Sequence, residues 1–149
     1  MERCMDRTYL GPGMGELEDG SDPAMSVGVA TERPDGVDVA LSGLIHPEGG
    51  PTEQAAVVFE IIEDVIVNDL EGAMSDVTRL RFYVRDDVLT ADVRRELHEL
   101  RRDVFSAPAY PAATMLGVSS LVHEGADVEI EASAFIPAGD RTETTIQPE

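Results

Sequence analysis

Apolar and polar residues alternate over two neighbouring segments near the start of the chain, 26–32 and 37–42. They flank Arg33-Pro34-Asp35-Gly36, a sequence typical of a tight turn, and therefore predict a β-hairpin. The same alternation predicts three later strands, over residues 76–86, 114–122 and 128–136.

The strand predicted at 76–86 has two different faces. One face is mostly apolar and suits a protein core: Thr78, Leu80, Phe82 and Val84. The other face carries three arginines and an aromatic ring: Val77, Arg79, Arg81, Tyr83 and Arg85. Side chains alternate across a strand, so only the first face can pack against helices. The second face therefore needs to pack against something else, and it is usually buried by contact with another subunit in an oligomer.

Between the strands, apolar residues recur at the three- and four-residue spacing of a helix. The first helix is predicted from Thr52, as its N-cap, to about Leu70, with Gly72 as its stop. Thr90 is predicted to cap a second helix with the apolar stripe Val93, Leu97, Leu100 and Val104. The order β-β-α-β-α-β-β predicts an α+β domain, with two helices packed on one face of a mixed sheet.

The ends of the chain lack this periodicity. Residues 1–24 hold several Gly and Pro among acidic residues and predict an irregular N-terminal arm. The domain itself spans 25–137. The polar residues 138–149 predict a loose C-terminal tail.

The charge of the chain argues against two classes of partner. Its 149 residues hold 30 Asp and Glu against 11 basic residues, all of them Arg, for a net charge of −19. Such a surface repels phosphates, so neither nucleic acid nor a membrane is expected as a partner. Strong acidity without lysine suggests adaptation to concentrated salt, where counterions screen self-repulsion.

Other features of the composition restrict the chemistry further. No apolar run approaches the about 18 residues of a membrane span, and the N-terminus does not read as a signal peptide. Cys4 is the only cysteine, which excludes an internal disulfide and a cysteine-clustered metal site. No two of the three histidines share a ligand spacing. We therefore expect a cytoplasmic domain without a metal or other cofactor.

Five short segments of the sequence resemble the motifs of one protein family, in the same order and with the same spacing. They are Leu41-Ser42-Gly43-Leu44-Ile45, Thr52-Glu53-Gln54, the run from Asp76 to Asp86, Tyr110-Pro111-Ala112-Ala113-Thr114 and Val128-Glu129-Ile130-Glu131-Ala132. On these residues the chain is similar to the RidA/YjgF family of reactive-intermediate (enamine/imine) deaminases, long described as endoribonucleases L-PSP. The resemblance covers roughly residues 25–137.

The resemblance implies a fold, an assembly and an activity. The fold would be chorismate-mutase-like, in a homotrimer with a central barrel and a small-molecule ligand in each cleft between subunits. In active members, an Arg after Pro-Ala binds the carboxylate of a 2-imino acid, and a Glu of the last strand helps to position or activate the hydrolytic water. The products are a 2-keto acid and ammonia. Carried over, Glu129 becomes the catalytic residue, and Ser42, Gly43 and Thr114 become cleft residues.

The chain departs from this pattern at Ala113, which stands where the resemblance implies the carboxylate-binding Arg. A methyl group cannot make a bidentate contact to a carboxylate. Arg94 or Arg81 could supply the missing cation, or the ligand could lack a carboxylate. Alternatively, the trimer could be a non-catalytic ligand-binding or regulatory protein.

Simpler roles for the same residues stay open. Arg79 and Arg81 could form structural salt bridges with Glu129 or Glu131, and Glu129 could be a solvated strand residue. RNA cleavage, which the old family description implies, is the least favoured activity because of the negative charge and the absence of lysine.

Overall fold

The structure of the chain is a computed structural model that describes residues 6–12, 20–21, 24–140 and 142–148. Within these residues the strands and α-helices follow in the order β1 (Arg7–Pro12), β2 (Ser26–Arg33), β3 (Gly36–Leu41), β4 (Leu44–Ile45), α1 (Pro51–Glu63), β5 (Val77–Arg85), α2 (Ala91–Val104), β6 (Ala112–Val118) and β7 (Val128–Pro137). A π-helical turn, Asp64–Asp69, extends α1. No helix in the described ranges is long and apolar enough to cross a membrane.

The strands form one mixed sheet in the order β1-β2-β3-β7-β5-β6, and the short β4 also pairs with β7. Strands β5 and β6 run parallel, with α2 as the connection between them, and the other pairs are antiparallel. Strand β7, which carries Glu129, and strand β6, which carries Ala113, are therefore separated by β5.

Both helices cover the same face of the sheet. On β7 every second residue is buried against them: Val128, Ile130, Ala132, Ala134 and Ile136. The ring of Phe59 on α1 contacts Phe82 of β5 and Phe105 edge-on, at centroid distances of 6.0 and 5.9 Å. The predicted α+β class and the placement of two helices on one sheet face are confirmed.

Gln54, on the first turn of α1, is fully buried and ties two loops together. Its Nε2 donates to the carbonyls of Gly49 and Gly125, at 3.0 and 3.1 Å. Its Oε1 accepts a 2.7 Å hydrogen bond from the backbone N–H of Asp127. The loop before α1 and the turn before β7 are thereby fixed to each other.

The structure corrects the predicted N-terminal arm, because Arg7–Pro12 form the edge strand β1. They pair antiparallel with β2, from Arg7 opposite Thr31 to Pro12 opposite Ser26. The segment lacks a clear alternation because Gly11 and Pro12 interrupt it, so the sequence pattern alone misses this strand. The remaining residues of the predicted arm lie largely outside the described ranges.

The predicted start and stop of the first helix shift slightly. Gly50, rather than Thr52, is the N-cap, because Pro51 already occupies the first helical position. The hydroxyl of Thr52 instead donates to Glu96 on α2, at 2.7 Å. At the other end, the left-handed residue is Glu71. Gly72 is required for close packing, since a Cβ there would lie 2.8 Å from Ile136.

Two strand predictions also change. The pairing of β5 with β7 shifts register between Val77 and Arg79, so Val77 is buried and Thr78 is exposed, the reverse of the predicted faces. A β-bulge of this kind inserts one residue and cannot be seen in a strict alternation. The strand predicted at 114–122 is β6, which begins two residues earlier and ends at Val118.

Candidate functional site

A cavity of about 690 Å³ opens between β4, the turn before β7 and the first residues of β7. Its polar lining consists of Ser42, Gly43, His46, His123 and Glu129. Its apolar lining includes Met25, Val27, Ile61 and Val122. The cavity is large enough for a small metabolite with an apolar part.

Glu129 is the acid of this cavity, and the backbone opposite is shaped around it. A Cβ at Gly43 would lie only 2.6 Å from its Oε2, so glycine is needed for the carboxylate to occupy this place. Burial, and secondly the charge of Glu131, raise the pKa of Glu129 above its usual value. Across the described residues, its carboxylate has neither a hydrogen-bond nor an ion-pair partner. A carboxylate whose pKa is raised in this way is a candidate for proton transfer.

The other polar groups of the cavity differ in what they can offer. The hydroxyl of Ser42 donates to the carbonyl of Ser26 at 2.6 Å, so its oxygen is left to accept. His123 Nδ1 lies 2.7 Å from the carbonyl oxygen of Glu124. Because a carbonyl only accepts, Nδ1 carries the proton, and Nε2 of the neutral ring is left as an acceptor.

The two arginines suggested as substitute cations do not line this cavity. Arg81 lies 3.4 Å from Glu131 in a half-exposed ion pair on the outer sheet face. The hydroxyl of Tyr83 donates to the same carboxylate at 2.8 Å, and this hydrogen bond is the main reason that the pKa of Tyr83 is raised. Arg94 is exposed on the first turn of α2. Arg81 is thus engaged with Glu131 rather than Glu129.

Ala113 and Thr114 also lie away from the cavity in the single chain, on β6. Ala113 is exposed and pairs with Leu80, whose side chain belongs to the helix-covered face. Thr114 points the other way, and its hydroxyl accepts a 3.1 Å hydrogen bond from Arg79. The structure therefore brings Ser42, Gly43 and Glu129 together, whereas Ala113 and Thr114 lie outside this cavity and on opposite faces of β6.

The model of one protein family, described as endoribonuclease L-PSP, matches residues 36–136. The chain belongs to this family. No curated protein sequence matches the chain. Several solved structures of the same fold do match it.

A member of the YjgF/YER057c/UK114 family from Mycobacterium tuberculosis is 27% identical, with a TM-score of 0.70 over 88% of this chain and all of that one. RidA from an Antarctic Psychrobacter bacterium is 26% identical, with a TM-score of 0.63 over 76% of this chain and 89% of that one. A Pseudomonas aeruginosa protein of unknown function, 19% identical over 93% of this chain and all of that one, shares the fold with a TM-score of 0.71.

The roles of two residues in this L-PSP family member are not indicated by the family motifs. His123 lies in a turn, and no motif or spacing links it to Glu129; only the folded chain places both on one cavity. The buried Gln54 lies within the Thr52-Glu53-Gln54 piece, but the sequence gives no sign that its amide forms hydrogen bonds with that turn. Within the described ranges, no group of three or more His, Cys, Asp and Glu side chains could hold a metal ion.

Proposed function

We propose that the chain is a hydrolytic deaminase of small enamine or imine intermediates, with Glu129 as its catalytic residue. The observation that carries the proposal is the half-buried carboxylate of Glu129, which has no hydrogen-bond or ion-pair partner among the described residues and lies against Gly43 at the wall of the cavity. Membership of the L-PSP family supports the same chemistry, since a Glu at this position helps to position or activate the hydrolytic water in the members that the sequence resembles.

The proposed reaction uses Glu129 twice. Its carboxylate takes a proton from water as the water oxygen bonds to the iminium carbon and the C=N electron pair moves to nitrogen. Its protonated form then gives that proton to the nitrogen of the carbinolamine. The C–N bond breaks, ammonia leaves, and the remaining hydroxyl proton is lost to solvent as the ketone forms. The raised pKa makes the carboxylate of Glu129 a stronger base for the first step, and the same group then donates the proton in the second.

The proposal includes the homotrimer, the cleft between subunits and the cytoplasmic location expected from the sequence. In such a trimer, β6 of one subunit would approach the Glu129 cavity of the next. Ser42, Gly43 and Thr114 would line the cleft, and Ala113 would leave it without the usual arginine. Arg81 is held by Glu131, so Arg94 is the better substitute cation for a carboxylate-bearing substrate.

The test is a coupled assay in molar KCl with 2-iminobutyrate generated in situ, following release of the keto acid. Wild type should accelerate hydrolysis, and Glu129→Ala should lose about a hundredfold or more of that acceleration, because general acid–base catalysis contributes this much. Glu124→Gln, an exposed carboxylate in the neighbouring turn, is the matched control and should keep the wild-type rate.

A second candidate function is ligand binding or regulation without catalysis on the same scaffold. It is favoured by the pairing of Arg81 with Glu131 and by the apolar share of the cavity lining. A folded oligomer that releases keto acid no faster than buffer would overturn the deaminase proposal and support this candidate.

A further inference from the structure

A second cavity, of about 250 Å³, lies on the helix-covered side of the molecule beside the C-terminal half of α2. Three basic side chains of α2, His98, Arg101 and Arg102, form part of its lining. Phe105, Tyr110 and Pro111 form the apolar remainder. It shares no lining residue with the Glu129 cavity.

The basic side chains supply more hydrogen-bond donors than acceptors. Arg102 Nη2 lies 3.2 Å from Nε2 of His98, and Arg101 Nη2 lies 3.5 Å from its Nδ1. A neutral imidazole has one acceptor nitrogen and one N–H, so it can accept from only one of the two guanidinium groups. The other guanidinium group therefore faces the N–H group of the imidazole, which cannot accept a hydrogen bond.

No carboxylate within the described ranges accepts these unused hydrogen-bond donors of Arg101 and Arg102. In those ranges, neither Arg101 nor Arg102 forms an ion pair, although the chain is rich in Asp and Glu. By contrast, Arg95, about two turns earlier on the same helix, contacts both Asp92 and Glu99. Two adjacent arginines that form no ion pair with any described residue are unexpected in a chain with a net charge of −19.

Arg101 is held in place and partly removed from water. Its guanidinium carbon lies 5.3 Å from the ring centroid of Phe82, which is fully buried. Burial lowers the pKa of Arg101, since the charged form loses part of its hydration. A bound anion would restore the stabilisation that hydration no longer provides.

We propose that this cavity binds a small organic anion, with its charged group on Arg101 and Arg102 and its apolar part against Phe105, Tyr110 and Pro111. Guanidinium groups suit a carboxylate because their N–H groups match its two oxygens. The apolar wall selects a carboxylate that carries a ring or a short hydrocarbon chain. This inference does not rest on the proposed deaminase activity.

The test is a titration of the whole protein with benzoate at constant ionic strength. Binding is measured by calorimetry and by NMR of the arginine Nε–Hε signals. Benzamide, which has the same ring without the charge, and acetate, which has the charge without the ring, are the comparison ligands. Wild type should bind benzoate about tenfold or more tightly than either, because both parts of the ligand contribute.

Variants locate the site. Arg102→Gln should weaken benzoate binding about fivefold or more, because it removes a charge-assisted contact. Arg95→Gln on the same helix is the matched control and should bind as wild type does. Glu129→Gln should also leave the affinity unchanged, which separates this site from the deaminase cavity.

Three results would overturn the proposal. The first is the absence of benzoate binding up to about 0.1 M, well above the range of a specific weak ligand. The second is equal affinity for benzamide. The third is an affinity that Arg102→Gln leaves unchanged or that Glu129→Gln abolishes.

Discussion

The buried side chain of Gln54 stabilises the two loops beside the candidate site. Its amide forms hydrogen bonds with three backbone groups that no other described side chain contacts in this way: the carbonyls of Gly49 and Gly125 and the N–H of Asp127. Gln54→Leu fills a similar volume but leaves these groups unpaired, so we expect a loss of about 3 kcal/mol in the free energy of unfolding. Urea unfolding in molar KCl measures it.

The control for this variant is Gln147→Leu, an exposed position near the C-terminus, which should change the unfolding free energy little. Equal losses in the two variants would show that the effect comes from surface apolarity rather than from the buried hydrogen bonds. If Gln54→Leu alone is destabilised, the loop of His46 and the turn of His123 owe their relative position to this amide.

At the scale of the elements, β7 places Glu129 and Glu131 on the same face, two residues apart. The negative charge of Glu131 raises the pKa of Glu129, after the larger effect of burial. Glu131→Gln removes that charge and frees Arg81, so the titration of Glu129 should move to lower pH. It should stay above the usual range of a glutamate, because the burial remains.

Carbon-13 NMR of the Glu129 carboxyl group measures this titration whether or not the protein is an active enzyme. Glu99→Gln, an exposed substitution on α2, is the control and should leave the titration in place. A midpoint that stays where it is, or moves to higher pH, would contradict the electrostatic account of Glu129.

The elements also show how far sequence reasoning extends. Periodicity predicts the β2–β3 hairpin, both helices and β7, since in each of these the buried and partly buried apolar residues follow a regular spacing. It misses β1, where Gly11 and Pro12 interrupt the pattern, and it reverses Val77 and Thr78 at the bulge. Both failures arise where pairing with a neighbouring strand, rather than local alternation, decides the outcome.

The candidate site divides in the same way. Ser42, Gly43 and Glu129 are predicted from two family motifs, and the pairing of Ile45 on β4 with Glu129 on β7 places those motifs side by side. The motifs do not predict that His123 lines the cavity, because its position depends on the hydrogen bonds of Gln54 to the following turn. Nor does the sequence distinguish Arg101 and Arg102 from Arg95, since only side-chain contacts show which of them has acidic partners.

At the scale of the whole molecule, the net charge of −19 should make the fold dependent on salt. Carboxylates repel one another over distances that molar salt screens and millimolar salt does not. We therefore expect far-UV circular dichroism to show loss of structure as KCl is lowered from molar to millimolar concentration. An unchanged spectrum over that range would contradict adaptation to salt. Glycerol at matched viscosity is the control for effects other than screening.

The edge strand β1 has a practical consequence for anyone who produces this protein. By pairing with β2, it occupies backbone groups that would otherwise lie open along the side of the sheet. An open edge readily accepts a strand from another copy of the same chain, which is a common route to aggregation. Expression clones trimmed to the family-matched region, which begins at Gly36, would discard both β1 and β2 and leave β3 in that exposed position.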